Sequence, residues 1–429
     1  MPPKIKQVFK AEILTIGSEI TRGRIVNTNS AFISKALSHL GFDVEFHTAC
    51  PDARKTMRQA MVLAAKRSHL VVITGGLGPT EDDLTTEVIT EMLGNGAVYC
   101  KSAVDRVLQI LKDSKKVATP AHLRMASLPK GATHLHNATG MAAGYYFRYN
   151  RCVFAVMPGV PREMKAMFEG EVVPMLRQHF FKLRSPAPYF AKTFRVLGIA
   201  ESQVSRAVRG LKLPEKFPGV EVAYQVPFPY VLLVLETKGD EQNLKAASTA
   251  VRNLLGQAIV AEDNETPASH LQKVPGTPGT PGTKIGHHTI AVAESCTGGM
   301  LAAEITAEAG ASKYFLGGVV CYSNESKVRD LAVSEEILRQ HGAVSQATAC
   351  AMAQGVRRRF SADLALAITG IAGPEGGSAE KPVGTVWMAV ATATTINAHH
   401  FLFKGDREMV RQAAVAWGLR LLRDGVTGG

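Results

Sequence analysis

Cysteine is scarce. The 429 residues hold six, Cys50, Cys100, Cys152, Cys296, Cys321 and Cys350, and no two form a CxxC pair. That spacing excludes a zinc knuckle and a dithiol redox motif and fits reduced thiols in a cytoplasmic protein. Long apolar runs are missing as well. No stretch reaches the ~18 consecutive apolar residues of a membrane helix, so no membrane association is expected. The opening MPPKIKQVFKAEILTIG lacks the apolar length and small-residue cleavage site of a secretory signal and reads as a first strand. Also absent are a helix–turn–helix signature, a zinc finger and an aromatic RNA-binding motif. The net charge of +12 therefore makes nucleic acid an unlikely partner rather than a strong one.

What is present is the composition of a folded globular protein. Apolar residues at 46% and charged residues at 20% argue against wholesale disorder and collagen-like repeats. The basic excess is uneven. Residues 283–429 carry 14 basic and 13 acidic side chains, so nearly all of it lies before them. A basic block can attract phosphorylated metabolites.

Three Pro-Gly-Thr units, Pro275 to Thr283, cannot support a helix or a central strand and divide the chain. Before them, strand-like AEILTIG, DVEFHTA, HLVVIT and CVFAVM alternate with helical patterns at NSAFISKALSHLG and Met57–Arg67. The alternation predicts an α/β class with a doubly wound domain over 1–184. Paired strands GVEVAYQV and YVLLVLET and a helix over Glu241–Leu255 predict a small α+β module at 185–264. A linker is expected at 265–288. The remainder, 289–429, reads as a second α/β domain whose sheet is partly antiparallel.

Several loops carry candidate chemistry. In GGLGPTEDDLT, Gly75, Gly76 and Gly78 sit between a buried strand and a helix, where ligands of open α/β sheets bind and backbone amides can approach a phosphate. Asp82 and Asp83 follow. Such a pair suits a divalent metal bridging to phosphates, or simply complements the helix dipole. A second Pro-Gly turn, Met157–Glu163, ends another strand of this block and reads as a rigid entry to a helix.

In AESCTGG, Ser295 follows a buried strand, as a helix N-cap or as a nucleophile. Thr297, Gly298 and Gly299 would supply backbone donors to an oxyanion or phosphate. No histidine lies in a similarly marked loop. A desolvated lysine is the alternative base, and Lys327 in VVCYSNESK is the candidate, with Tyr322 beside it. Spacing alone does not pair Ser295 with Lys327. The glycine-rich loop TGIAGPEGGSAEKPVGT, with Gly373 and Lys381, reads as a phosphate or sugar contact or as a flexible connector. Arg407 and Arg411 lie one helical turn apart on the last helix.

Taken in order, these motifs resemble the CinA (competence/damage-inducible protein) family over essentially the whole chain. GRIVNTNSAFISKALSHLG, TGGLGPTEDDLT and MPGVPREMKAMFE are similar to that family's molybdopterin-binding-like domain. AESCTGG, GGVVCYSNESK, HGAVSQATACAMAQGVR, ITGIAGPEGGSAEKPVGTVW and FKGDREMVR are similar to its nicotinamide mononucleotide amidohydrolase domain. The resemblance implies deamidation of nicotinamide mononucleotide to nicotinate mononucleotide and ammonia, in pyridine nucleotide salvage, with Ser295 as nucleophile, Lys327 as base, Tyr322 nearby and no cofactor. For the first domain it implies ADP-ribose hydrolysis with a divalent metal such as magnesium. Related molybdopterin-processing proteins use aspartates at positions matching Asp52 and Asp83. The family also suggests a homodimer. One departure stands out: family members generally have a helix before the TIAVAESCTGG strand, where this chain has Pro-Gly-Thr repeats and Lys284–His288. The opposing reading is a nucleotide-binding or regulatory protein with neither domain catalytic.

Overall fold

The computed structural model describes residues 9–180, 188–272 and 288–427. The chain divides into two compact units, Met1–Phe190 and Ala191–Gly429.

The first unit is built on β1 (Phe9–Ile16), β2 (Phe42–Cys50) and β3 (Leu70–Thr74). A short ribbon pairs β4 (Ala97–Tyr99) with β5 (Ser127–Pro129). The main sheet continues through β6 (Thr133–Leu135), β7 (Gly144–Tyr149) and β8 (Cys152–Met157), in the order β2-β1-β3-β8-β7-β6. The four strands from β2 to β8 are parallel. Their apolar runs are continuous because both faces are covered. Leu14, Ile16, Val71 and Ile73 enter one core, with Met57, Met61 and Val88 from helices Arg54–Arg67 and Thr85–Leu93. Ala11, Ile13, Leu70 and Val72 enter the other, with Ile33 and Leu37 of helix Thr28–His39. The sheet departs from a purely parallel one at its far edge, where β7 runs antiparallel to both β8 and β6. Asn150, left-handed at φ 55°, makes the tight turn between β7 and β8.

The second unit holds two sheets. In the smaller, β9 (Tyr189–Leu197), β10 (Val220–Gln225), β11 (Tyr230–Lys238) and β12 (Ile259–Glu262) lie in the order β10-β11-β9-β12, with helices Glu201–Gly210 and Glu241–Leu255. In the larger, β13 (Ile290–Glu294), β14 (Phe315–Val320), β15 (Leu364–Gly370), β16 (Thr385–Ala391) and β17 (Ile396–Leu402) lie in the order β14-β13-β15-β16-β17. β13 is parallel to both its neighbours, and β16 and β17 run antiparallel.

The two faces of that sheet differ in residue size. Ile290, Val292, Leu364, Leu366 and Ile368 pack towards the last helix, Arg407–Thr427. Ala291, Ala293, Ala365 and Ala367 face helix Gln346–Phe360, and the small side chains let that helix approach closely. Gly355 does the same on the helix's outer side: a Cβ there would lie 2.0 Å from the Leu331 carbonyl oxygen. Its absence seats helix Asn324–Leu331, which carries Lys327.

The stretch read as a linker over 265–288 begins as packed chain. A 3-10 turn, Ala268–Gln272, inserts Ala268 and Leu271 into the large-residue core. Residues 273–287, including the Pro-Gly-Thr units, lie outside the described residues. The smaller sheet is joined to the larger sheet directly. Leu197 and Val260 cluster with Ala416, and Arg423 donates to the Ile259 carbonyl at 2.9 Å.

Candidate active site

β13 has a parallel neighbour on each side, so chain leaves the sheet in opposite directions around its carboxyl end. Such switch points are where open α/β sheets bind ligands. Ser295 is the first residue beyond β13 and is held by its own amide, which donates to the Ile368 carbonyl at 2.9 Å. Beside it, β14 ends and the chain turns through Cys321 and Tyr322 into helix Asn324–Leu331. Ser323 caps that helix by accepting from the Ser326 amide.

The helix aims Lys327 back under the strand ends. Its side chain is 1% exposed, and its Nζ lies 3.1 Å from Ser295 Oγ. Nζ also lies 2.9 Å from the Cys321 carbonyl oxygen and 3.3 Å from that of Tyr322. Desolvation holds the amine below its ordinary pKa of 10.5. A neutral amine has two N–H groups and one lone pair. In that form the two carbonyls can take the hydrogens and leave the lone pair to Ser295, as a general base requires. Proton transfer from Ser295 leaves an ammonium whose three hydrogens meet the same three oxygens, so nothing needs to reorganise.

The neighbouring thiols are poor rivals for the nucleophile's role. Burial pushes Cys296 up to about 12 and Cys321 up to about 11. Both stay protonated at neutral pH. Activity is therefore expected to survive Cys296→Ala and to resist iodoacetamide at pH 7. Inactivation with alkylation mapped to Cys296 would contradict this.

The turn after Ser295 differs from its expected use. The Gly298 amide donates back to the Ser295 carbonyl at 3.1 Å, and the Gly299 amide donates to the Glu294 carboxylate at 3.0 Å. Both donors are committed. Thr297 is wholly buried and the Cys296 amide faces its own thiol, so neither stands open in place of the glycines. Both glycines are left-handed, at φ 62° and 96°, which sets the turn's shape. The Thr297 carbonyl accepts from Arg411 at 3.1 Å, pinning the turn to the last helix.

Tyr322 is exposed, and its hydroxyl accepts from Arg407 at 2.9 Å. Arg407 also donates to the Gly373 carbonyl at 2.7 Å, closing the glycine-rich loop over the same rim. Lys381 stands apart. Its Nζ donates to the His341 carbonyl at 2.9 Å, and no hydrogen bond joins it to Ser295, Lys327 or Tyr322 among the described residues.

The first unit has its own cleft at the strand ends, about 340 Å³, lined by Gly76, Gly78, Asp83, Thr86, Arg54 and Arg124 among others. Gly75 is obligatory: at φ 111°, a Cβ would sit 2.1 Å from the Ile16 carbonyl. The Asp83 carboxylate accepts from the Thr80 amide at 2.9 Å. The Thr80 hydroxyl lies against both Asp82 and Asp83 and can donate to only one at a time. That bond holds Asp82 below the usual carboxylate range. Asp82 and Asp52 do not line the cleft. Asp52 instead accepts from the Ser18 amide at 2.7 Å, as a turn-forming residue. Among the described residues no group of three or more His, Cys, Asp or Glu side chains is placed to hold a metal. Asp83 with Asp82 suits only an ion that takes most of its ligands from water and substrate phosphate.

Known proteins place the chain. The family pattern described as CinA C-terminal domain matches residues 283–426, and that described as probable molybdopterin binding domain matches 12–178. A CinA-like protein of Citrifermentans bemidjiense is 39% identical over 97% of this chain and 97% of its own length. The chain belongs to the CinA family. Another CinA-like protein, of Syntrophotalea carbinolica, is 37% identical over 96% of this chain and 97% of its own. A solved structure, competence/damage inducible protein CihA from Agrobacterium tumefaciens, is 41% identical, covering 33% of this chain and 86% of that one, with a TM-score of 0.32.

In this CinA chain the structure thus brings together Ser295, Lys327, Tyr322, Gly373 and Arg407, which four separate motifs carry. Sequence reasoning missed Glu294 and Arg124. Glu294 had a signal, a carboxylate at the end of an otherwise apolar strand. Arg124, which donates to the Pro79 carbonyl at 2.9 Å and clamps the first glycine turn, had none. Among the described residues no helix is long and apolar enough to cross a membrane.

Proposed function

We propose that the second unit hydrolyses the carboxamide of nicotinamide mononucleotide to nicotinate mononucleotide and ammonia. The observation that carries this reading is the 3.1 Å approach of Lys327 Nζ to Ser295 Oγ in a buried, strand-end site. Lys327 takes the hydroxyl proton as Ser295 Oγ bonds to the carboxamide carbon. Negative charge develops on the carboxamide oxygen as that bond forms. The Lys327 ammonium then returns its proton to the nitrogen. The C–N bond breaks, and ammonia leaves an acyl ester on Ser295. Water attacks that ester, giving its proton to Lys327. The ester bond to Oγ breaks, the carboxylate product departs, and the proton returns to Ser295. Arg407 and Tyr322, at the rim, suit contact with the anionic mononucleotide.

The competing reading, a binding protein without catalysis, makes a different forecast. Nicotinamide mononucleotide would raise the melting temperature and yield no ammonia. The amidase reading requires product from the same sample.

For the first unit the cleft beside Asp83 supports a nucleotide pyrophosphate site, with ADP-ribose as the substrate that family resemblance suggests. Asp83, which lines the cleft, would hold a divalent ion, which when bound supplies charge neutralisation at phosphate. Arg124 and the Gly75–Gly78 turn keep the cleft's shape. Asp83→Ala is expected to remove ADP-ribose hydrolysis while leaving ammonia release unchanged. Undiminished hydrolysis in that variant would take Asp83 out of the site.

A further inference from the structure

Glu294 is the last residue of β13 and the immediate neighbour of Ser295, and its side chain is 1% exposed. A buried carboxylate is costly unless its lone pairs are met. Here no cation meets them among the described residues. Three backbone amides do: Gly299 at 3.0 Å and Leu301 at 3.1 Å to Oε2, and Ala302 at 2.8 Å to Oε1. All three belong to the turn and first helical residues that follow the nucleophile. A serine or threonine cap would satisfy one such amide with far less desolvation. A carboxylate reaching forward from the strand satisfies three and ties both ends of the turn together.

The consequence bears on the reaction. With its amides occupied, helix Met300–Thr306 cannot offer its N-terminus to the substrate, and the Gly298 amide is closed onto Ser295. Arg411 holds the Thr297 carbonyl from the other side, so the peptide between Glu294 and Gly299 is fixed at both edges. We propose that Glu294 is a positioning residue of the hydrolytic site: its carboxylate holds the Ser295–Gly299 turn in the one arrangement that sets Ser295 Oγ within reach of Lys327 Nζ. This inference rests on the amidase reading and names a role within that site.

The test compares full-length wild type, Glu294→Gln and Glu294→Asp on nicotinamide mononucleotide, with kcat, KM and melting temperature measured on the same preparations. The Gln side chain keeps the length and turns one acceptor into a donor facing an amide. The Asp side chain keeps the charge and falls short of the helix. Each folded variant is expected to lose kcat by about ten-fold or more, since a small misplacement of the nucleophile from its base costs that much or more. KM is expected to stay near the wild-type value, because the rim that holds the nucleotide is untouched. A folded variant with wild-type kcat, or with its loss confined to KM or melting temperature, would overturn the proposal. So would failure of both variants to fold, which would make the carboxylate a folding requirement only. A wild type that releases no ammonia would overturn the amidase reading itself. An active wild type matched by its variants overturns the positioning role alone.

Discussion

Replacing Ser295 with alanine will lower ammonia release from nicotinamide mononucleotide by about a thousand-fold or more, the scale seen when a serine nucleophile is removed from a preorganised hydrolase. The chain should stay folded. Ser295 contributes one hydroxyl to the site, and Lys327 keeps its two carbonyl partners without it. The anchor of the turn, the Ser295 amide on the Ile368 carbonyl, belongs to the backbone and survives the change. What is lost is the atom that forms the acyl bond. Circular dichroism and melting temperature near wild type, with product at the uncatalysed level, is the expected pair of results. Retained turnover in folded Ser295→Ala would remove Ser295 from its role.

The second large effect is at Lys327. Lys327→Met keeps an unbranched chain of similar length and removes the base, and a loss of about a hundred-fold or more in kcat is expected. The pH dependence distinguishes this lysine from a merely structural one. Its folded-state pKa lies below the ordinary 10.5 because burial disfavours the ammonium. Wild-type activity should therefore rise with pH to a plateau whose midpoint lies below 10.5, as the amine becomes neutral. The same shift sets the sign for stability. Between the lowered folded pKa and 10.5 the unfolded chain binds the extra proton, so wild-type stability rises with pH across that window. Below it the full cost of the buried charge is present. Lys327→Met removes this dependence. Relative to wild type, the variant should gain melting temperature as pH falls through the window, and the difference should become pH-independent below it. A difference that is flat across the whole range would show that Lys327 has an unshifted pKa, and the base assignment would fall with it.

Much of the fold could be read from the chain because burial on two faces leaves a plain mark. β3 and β15 are short runs without a charged residue, and each feeds both cores of its sheet. The helix over Glu241–Leu255 has the same limits in the structure as in the sequence pattern. The antiparallel edge of the first sheet was harder to see. Its strands β6 and β7 are brief, and the turn signal is a single asparagine. The linker's start was misplaced for a similar reason. Ala268 and Leu271 look unremarkable in sequence and are buried only because the second sheet leaves a gap for them.

The site was legible in parts and not as a whole. Motif chemistry singled out Ser295 and Lys327, but nothing local joins residues 32 positions apart. Their meeting depends on β14 pairing beside β13 and on Gly355 letting the lysine's helix sit close. In the sequence Gly298 and Gly299 suggest open amides, and both are committed. Only the buried Glu294 carboxylate reveals that the Gly299 amide is spoken for. Asp52 and Asp82 illustrate the opposite limit: their motif positions are right beside a cleft that neither lines.

Ammonia release tests most directly whether a serine–lysine pair in the second unit cleaves a carboxamide. Purified full-length protein is mixed with nicotinamide mononucleotide, with a chelator present, and ammonia and nicotinate mononucleotide are quantified together. Equimolar formation of both products is expected, at a rate that rises with pH towards the Lys327 plateau. A folded protein that binds the nucleotide, shown by a raised melting temperature, and forms neither product would contradict it.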